Sequence, residues 1–343
     1  MLTKSNLVIQ TAFLGDLILS IPNLKRIKEI FPQDKLIIVC KQGLGEFLIA
    51  EKIVDAVIEV EKSNRESYKL ALEEVKKNDI KNIFCLHRSL RSMIFVSKIK
   101  AEKKIGFSSF LGYWIFDETV AYVKEYPEVI RQFGLLQVVD KKTYQEINSK
   151  DYSYLNDSSL PKVPDFFSFS KKNPSQVSQN KIAIFPGSVW ATKKWTTSGY
   201  TQLCQLLIKD GFEVDLMGGP PEKSLCVEIA EMAKGVKVRA GSLSIAETIA
   251  ALSGYSLVIS NDSASTHMAA YDNIPVLTIF GPTTLNQGFR PWIDKAAVVQ
   301  NNNLKCRPCG AHGHNKCPLE HHNCMKDIDV IEVFKAAKRI ITS

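Results

Sequence analysis

A chain of 343 residues, 45% of them hydrophobic, is too long for one compact core and too apolar to be disordered, so two globular domains are expected. No apolar run reaches the roughly 18 residues of a membrane-spanning helix, and Asp16 enters the N-terminal stretch too early for a secretory signal. The net charge of +8 favours an anionic partner, either a phosphorylated substrate or an anionic membrane surface; nucleic acid is set aside because no zinc-finger, RRM or long basic-helix pattern accompanies the charge. A cytoplasmic enzyme is the expectation.

Taken from the N-terminus, NLVIQT reads as a buried strand and LILSIPNLKRIKEIF as a helix with apolar residues at helical spacing. KLIIVC, AVIEV and NIFCL read as further strands, with ESYKLALEEVKK as a helix between the last two. That order predicts a mostly parallel sheet covered by helices. At the first strand–helix junction stands Phe13-Leu14-Gly15-Asp16. Gly15 lets a ligand approach the backbone, and Asp16 suits either a helix cap or a general base. No GxGxxG occurs, which argues against a dinucleotide. Basic residues cluster in HRSLRS and SKIKAEKKIG, as a solvated face or as anion contacts.

From Asp151 to Asn180 the alternation stops in a Ser-, Asn-, Pro- and Lys-rich stretch, read as a linker with one docked aromatic segment. A second alternation then starts at KIAIFPGS, and four loops follow strand patterns. PGSVWATKKW offers Gly187, Ser188, Thr192 and the pair Lys193–Lys194, whose charge suits a diphosphate leaving group. MGGPPEK offers Gly218, Gly219 and Glu222, an acceptor for ribose hydroxyls. SNDSASTHMAA follows the strand LVIS, with Asn261, Asp262 and Ser263 able to cap the next helix and His267 on the same helical face as Ser263. Gly281 to Thr284 end the last strong strand. Loops at the carboxyl ends of parallel strands are where an open α/β sheet binds ligands. No GxxxxGK[ST] is present, so this is not a Walker A site.

CRPCGAHGHNKCPLEHHNC brings Cys306, Cys309, Cys317 and Cys324 within nineteen residues, with four histidines among them. Such a segment suits a structural zinc, or reduced thiols packing a loop; a reducing cytoplasm disfavours disulfides. Cys40, Cys85, Cys204 and Cys226 lie in apolar patterns and read as core. The Asp327–Asp329 run reads as a cap on a terminal helix, one able to pack back across the first domain.

FLGDLILSIPNLKRIKEIFP, FPGSVWATKKW, GGPPE, SNDSASTHMAA, PVLTIFGPT and CRPCGAHGHNKCPLEHHNCM, in this order, resemble the ADP-heptose:lipopolysaccharide heptosyltransferases of glycosyltransferase family nine, most closely the type II enzymes. The resemblance implies a GT-B fold, two Rossmann-like α/β/α domains facing across a cleft. The acceptor domain would span residues 1–170, the nucleotide-sugar domain 180–325, and a C-terminal helix 326–343. It implies an inverting transfer of heptose from ADP-heptose to the heptose of the lipopolysaccharide inner core. By the same resemblance Asp16 is the catalytic aspartate and Lys194 stabilises the departing diphosphate. Gly187, Ser188, Thr192, Glu222, Asp262, Ser263 and His267 would bind the donor; Arg88, Arg91 and Lys98 are candidate acceptor contacts. A glycine usual after the Asp-Ser pair is Ala264 here. No cofactor is required for this chemistry, and the enzyme would touch the inner face of the cytoplasmic membrane peripherally. A type I enzyme, a transferase of another nucleotide sugar, and a non-catalytic nucleotide-sugar binder are the alternatives.

Overall fold

The computed structural model describes residues 4–169 and 180–342, in two compact units. In the first, β1 (Ser5–Gln10), β2 (Lys35–Lys41), β3 (Ala56–Val60), β4 (Ile80–Cys85), β5 (Lys103–Phe107) and β6 (Glu118–Val120) form a parallel sheet in the order β3-β2-β1-β4-β5-β6. Every residue of β1 is buried, as expected for a central strand covered on both faces. Leu7, Ile9, Ile37, Val39 and Ile83 lie at the centre of its core.

The second unit repeats the plan. It comprises β7 (Lys181–Phe185), β8 (Glu213–Leu216), β9 (Lys237–Val238), β10 (Leu257–Asn261), β11 (Val276–Phe280) and β12 (Ala296–Gln300), again parallel, in the order β12-β11-β10-β7-β8-β9. The doubled alternation read from the sequence is therefore present. In each sheet the chain reverses its direction of progress beside its first strand, between β1 and β4 and between β7 and β10.

Three expectations need correction. The first helix is two, Leu14–Leu19 and Ile21–Ile30. Pro22 lacks an N–H and fits only the start of a helix, and the Ser20 hydroxyl at the break donates to the Leu17 carbonyl at 2.6 Å. The domain limit also shifts, because residues 155–164 belong with the second unit. Arg290, buried there, donates to the carbonyls of Leu155 and Pro161, both at 2.8 Å, and the Val163 N–H donates to Asp294. Phe166 and Phe167 are the docked aromatic segment: Phe167 packs edge-on with Phe133 and Tyr152 of the first unit, and Phe166 lies tilted against Phe133. The rest of the expected linker, residues 170–179, lies outside the described residues. Finally, the helix Val330–Thr342 is not a separate segment but part of the second unit, whose core it joins. Its Val333, Ala336, Ala337 and Ile340 form one buried stripe at helical spacing in that core. Asp329 caps it, accepting from the Ile331 N–H, and Cys40, Cys85, Cys204 and Cys226 are buried, as read.

Candidate active site

In the first unit the carboxyl ends of the strands carry Thr11, Lys62 and His87, each one or two residues past its strand. Asp16 is the third residue of the helix Leu14–Leu19 and accepts from the Phe13 N–H at 3.2 Å. Desolvation, and then the negative charge of Glu128, push its carboxyl up to about 7 against the pull of that N–H and of Lys62. Lys62 itself is lowered by desolvation and by Lys41, with its ammonium 4.9 Å from the Phe13 ring centre. His87 Nδ1 meets the hydroxyls of Thr11 at 2.8 Å and Ser92 at 3.2 Å. Desolvation, then Lys62 and Arg91, bring it down to about 4, so it is neutral at pH 7.

Two candidate acceptor cations lie at this edge. Arg88 covers the Tyr122 ring at 3.9 Å, and Arg91 lies 5.9 Å from that of Tyr68. Beneath Tyr122, Glu128 and Arg131 form a buried ion pair at 3.1 Å, and Glu128 accepts from the Tyr122 hydroxyl. Lys98 is separated from both arginines. It caps the far end of the helix Leu90–Ser97, about 10 Å along the axis from Arg91. Sequence reasoning missed Lys62, His87 and Glu128. The first two had a signal, a charged or titratable residue just past a strand; Glu128 lies where no motif stands.

The second unit's edge is held by its own side chains. Asn261 Nδ2 donates to the carbonyls of Pro186 at 2.9 Å and Gly187 at 3.1 Å, while its Oδ1 accepts from the Trp195 N–H and the Tyr200 hydroxyl. The loops after β7 and β10 are thereby fixed to one another. Asp262 takes Lys193 Nζ and the Thr283 hydroxyl, each at 2.6 Å. Lys193 is thus spent on Asp262, whereas Lys194 makes no ion pair among the described residues. Glu222 folds over Gly187 and accepts from the Gly219 N–H at 2.8 Å. A Cβ on residue 187 would lie 2.1 Å from Glu222 Cγ, so a larger residue there would displace the Glu222 side chain. Ser188 follows Gly187 at the end of β7.

Ser263 occupies the N-cap position of the helix Ala264–Tyr271, but its hydroxyl meets Ser265 Oγ at 2.7 Å instead of capping. Ala264, the first helical residue, needs no glycine's freedom there. His267 is buried in this helix, and its Nδ1 has no hydrogen-bond partner among the described residues. Desolvation lowers it to about 4 although Asp262 opposes the shift.

Thr192 is engaged elsewhere. Its hydroxyl accepts from the His314 N–H and donates to the His314 carbonyl, both at 2.8 Å, and its own carbonyl meets His322 Nε2 at 2.8 Å. These histidines belong to the cysteine-rich loop, which follows β12 and so emerges at the same carboxyl edge. Arg307 of this loop donates to the carbonyls of Gly281 and Thr283 and to Gln300. The loop is therefore a brace beneath Lys193 and Thr283, a role its composition did not reveal. Its four cysteines line one pocket with Thr192, His321 and His322, and Cys306 Sγ lies 4.0 Å from His321 Nε2. Among the described residues no three Cys, His, Asp or Glu side chains form a ready ligand cage.

Two Rossmann-like units, each with its polar constellation at the carboxyl edge of a parallel sheet, define the GT-B fold. A family model described as glycosyltransferase family 9 (heptosyltransferase) matches residues 71–320. The lipooligosaccharide heptosyltransferase 2 of Campylobacter jejuni is 27% identical over 338 residues, 96% of each chain. A solved family 9 glycosyltransferase from Veillonella parvula matches with a TM-score of 0.78 at 18% identity, over 100% of this chain and 98% of that one. The ADP-heptose lps heptosyltransferase II of Escherichia coli matches at 0.72 and 18% identity, over 98% of both. The chain belongs to glycosyltransferase family 9, the heptosyltransferases.

Proposed function

We propose that this enzyme transfers heptose from ADP-heptose to a heptose of the lipopolysaccharide inner core, with inversion at the anomeric carbon. The observation that carries the reading is Asp16, whose desolvated carboxyl at about 7 suits a base that takes a proton near neutral pH. Asp16 accepts the proton of an acceptor hydroxyl as that oxygen bonds to the anomeric carbon. The bond from that carbon to the diphosphate oxygen breaks on the opposite face, and its electron pair leaves with ADP. Lys194, not neutralised by an acidic partner, meets the growing charge of the diphosphate, helped by the first N–H groups of the helix Ala264–Tyr271. Glu222 receives the ribose, with Asp262, Ser263 and His267 on the diphosphate and sugar side.

The type II assignment is supported by the likeness to the C. jejuni lipooligosaccharide heptosyltransferase 2 along 96% of each chain. No helix of the described residues is long and apolar enough to cross a membrane, and the reading places the enzyme in the cytoplasm, in peripheral contact with the inner membrane that bears its acceptor. The chemistry needs no cofactor. A structural zinc on Cys306, Cys309, Cys317 and Cys324, whose side chains line one pocket, would tie their loop together. Elemental analysis of protein purified without added metal or a metal-binding tag tests it: about one zinc per chain supports the site, and none rejects it.

The function is tested by offering ADP-heptose and other nucleotide sugars with soluble core oligosaccharides that carry no heptose, one or two. ADP release only with ADP-heptose and the one-heptose acceptor is expected. Transfer to the heptose-free acceptor would make it a type I enzyme, transfer from another sugar would move the donor assignment, and binding without turnover would leave a nucleotide-sugar binder.

A further inference from the structure

Near the acceptor edge of the first unit, large apolar side chains stand in solvent. After β5 the chain runs through Phe110, Leu111, Tyr113 and Trp114, and Phe110 and Trp114 are 83% and 82% exposed. The short helix Gly112–Ile115 lies against the helix Leu90–Ser97, with the Ser109 hydroxyl on Met93 Sδ. That neighbouring helix exposes Leu90 and Ile94, one turn apart on one face. Six exposed hydrophobic residues on two adjoining elements exceed the scattered surface leucine that needs no explanation.

Three cations accompany them: Arg88 and Arg91 just past β4, and Lys98 at the far end of the neighbouring helix, none of them in an ion pair among the described residues. We propose that this face is the enzyme's membrane-docking surface, its aromatic and aliphatic side chains entering the headgroup region of an anionic bilayer while the cations, Arg91 and Lys98 foremost, meet lipid phosphates. Tryptophan and tyrosine favour that interface, and basic residues add attraction to anionic lipids. The loop Ser108–Ile115 leaves the same sheet edge that carries Asp16, His87 and Arg88, so docking there brings the acceptor edge to the surface in which a lipid-borne acceptor sits. This inference rests on the proposed function for the identity of that acceptor, and Lys98, remote from the two arginines, gains a role.

The test is flotation of the full-length protein with vesicles of phosphatidylethanolamine and phosphatidylglycerol, and with neutral phosphatidylcholine vesicles, no acceptor being present. The wild type is expected to float with the anionic vesicles, less so at high salt. The double variant F110S/W114S should bind them about tenfold or more weakly, yet transfer to a soluble, lipid-free acceptor at the wild-type rate. Unchanged vesicle binding by the variant overturns the proposal. So does a wild type that ignores vesicles but forms a dimer in sedimentation analysis that the variant does not, since the occupant is then a second copy. Because flotation needs no turnover, failure to transfer heptose would count against the proposed function and leave the docking result intact.

Discussion

The carboxyl edges of the two sheets differ in their electrostatics, and under the proposed function they solve opposite problems. In the second unit Asp262 is satisfied before any substrate arrives, held by Lys193 and Thr283, and Asn261 ties two loops with four hydrogen bonds, while Lys194 is left without an acidic partner among the described residues. In the first unit Asp16 is under-compensated: desolvation and the field of Glu128 outweigh the backbone N–H groups of Phe13 and Asp16 and the charge of Lys62, which favour its charged form. A site that binds a charged donor profits from prebuilt, rigid partners, whereas a base must hold a carboxylate that still wants a proton. The same fold provides both because each sheet brings polar residues to one edge and leaves their local surroundings free to differ.

The contrast is broken most severely at Asp16. Asp16→Asn should lower kcat by roughly 100-fold or more while donor KM stays within about twofold, the scale of a lost proton transfer; steady-state kinetics with saturating acceptor checks it. Lys194→Ala should act on binding and turnover together, lowering kcat/KM for the donor by about tenfold to 100-fold, because its charge meets the diphosphate before and during departure. Unchanged donor affinity and turnover would remove Lys194 from the site.

A smaller effect should follow from loosening the brace. Arg307→Gln loses the guanidinium that grips the Gly281 and Thr283 carbonyls and should raise donor KM by about three- to tenfold, each lost hydrogen bond being worth about 1 kcal/mol. Acceptor KM should not move, and an equal rise in both would mean general unfolding instead. The smallest effect is on stability. The Asp16 carboxyl is raised from 3.8 to about 7, so between those values the folded chain holds more proton than the unfolded one, and stability falls as pH rises through that window. Asp16→Asn removes this loss. Its Tm should exceed the wild type's at pH 8 and converge with it near pH 4, as thermal melts at the two pH values would show.

Much of this arrangement was legible in the residues. Buried-strand runs such as LVIS and IPVLTIF announce parallel strands, and polar residues just past them mark the carboxyl edge, which is why Asp16, Asp262 and Glu222 could be picked out. What stayed hidden depends on distance through space. Two adjacent lysines read alike, and only the fold distinguishes Lys193, spent on Asp262, from Lys194. Glu128 lies 112 residues from the carboxyl it perturbs, and nothing in its own helix signals that. Arg290 claims residues 155–164 for the second unit through carbonyls, which carry no sequence signature. The cysteine-rich loop advertised metal ligands, while its docking runs through Arg307, His314 and His322, whose hydrogen bonds no motif encodes.

The most direct test of the central claim, that a desolvated Asp16 is the base, is the pH dependence of kcat/KM for the acceptor at saturating donor. A base is competent only when ionised, so the rate should rise with pH and level off with an apparent pKa near 7. In the residual activity of Asp16→Asn that rise should vanish. A wild-type rate flat from pH 5 to 8, or the same rise retained in the Asn variant, would contradict the account.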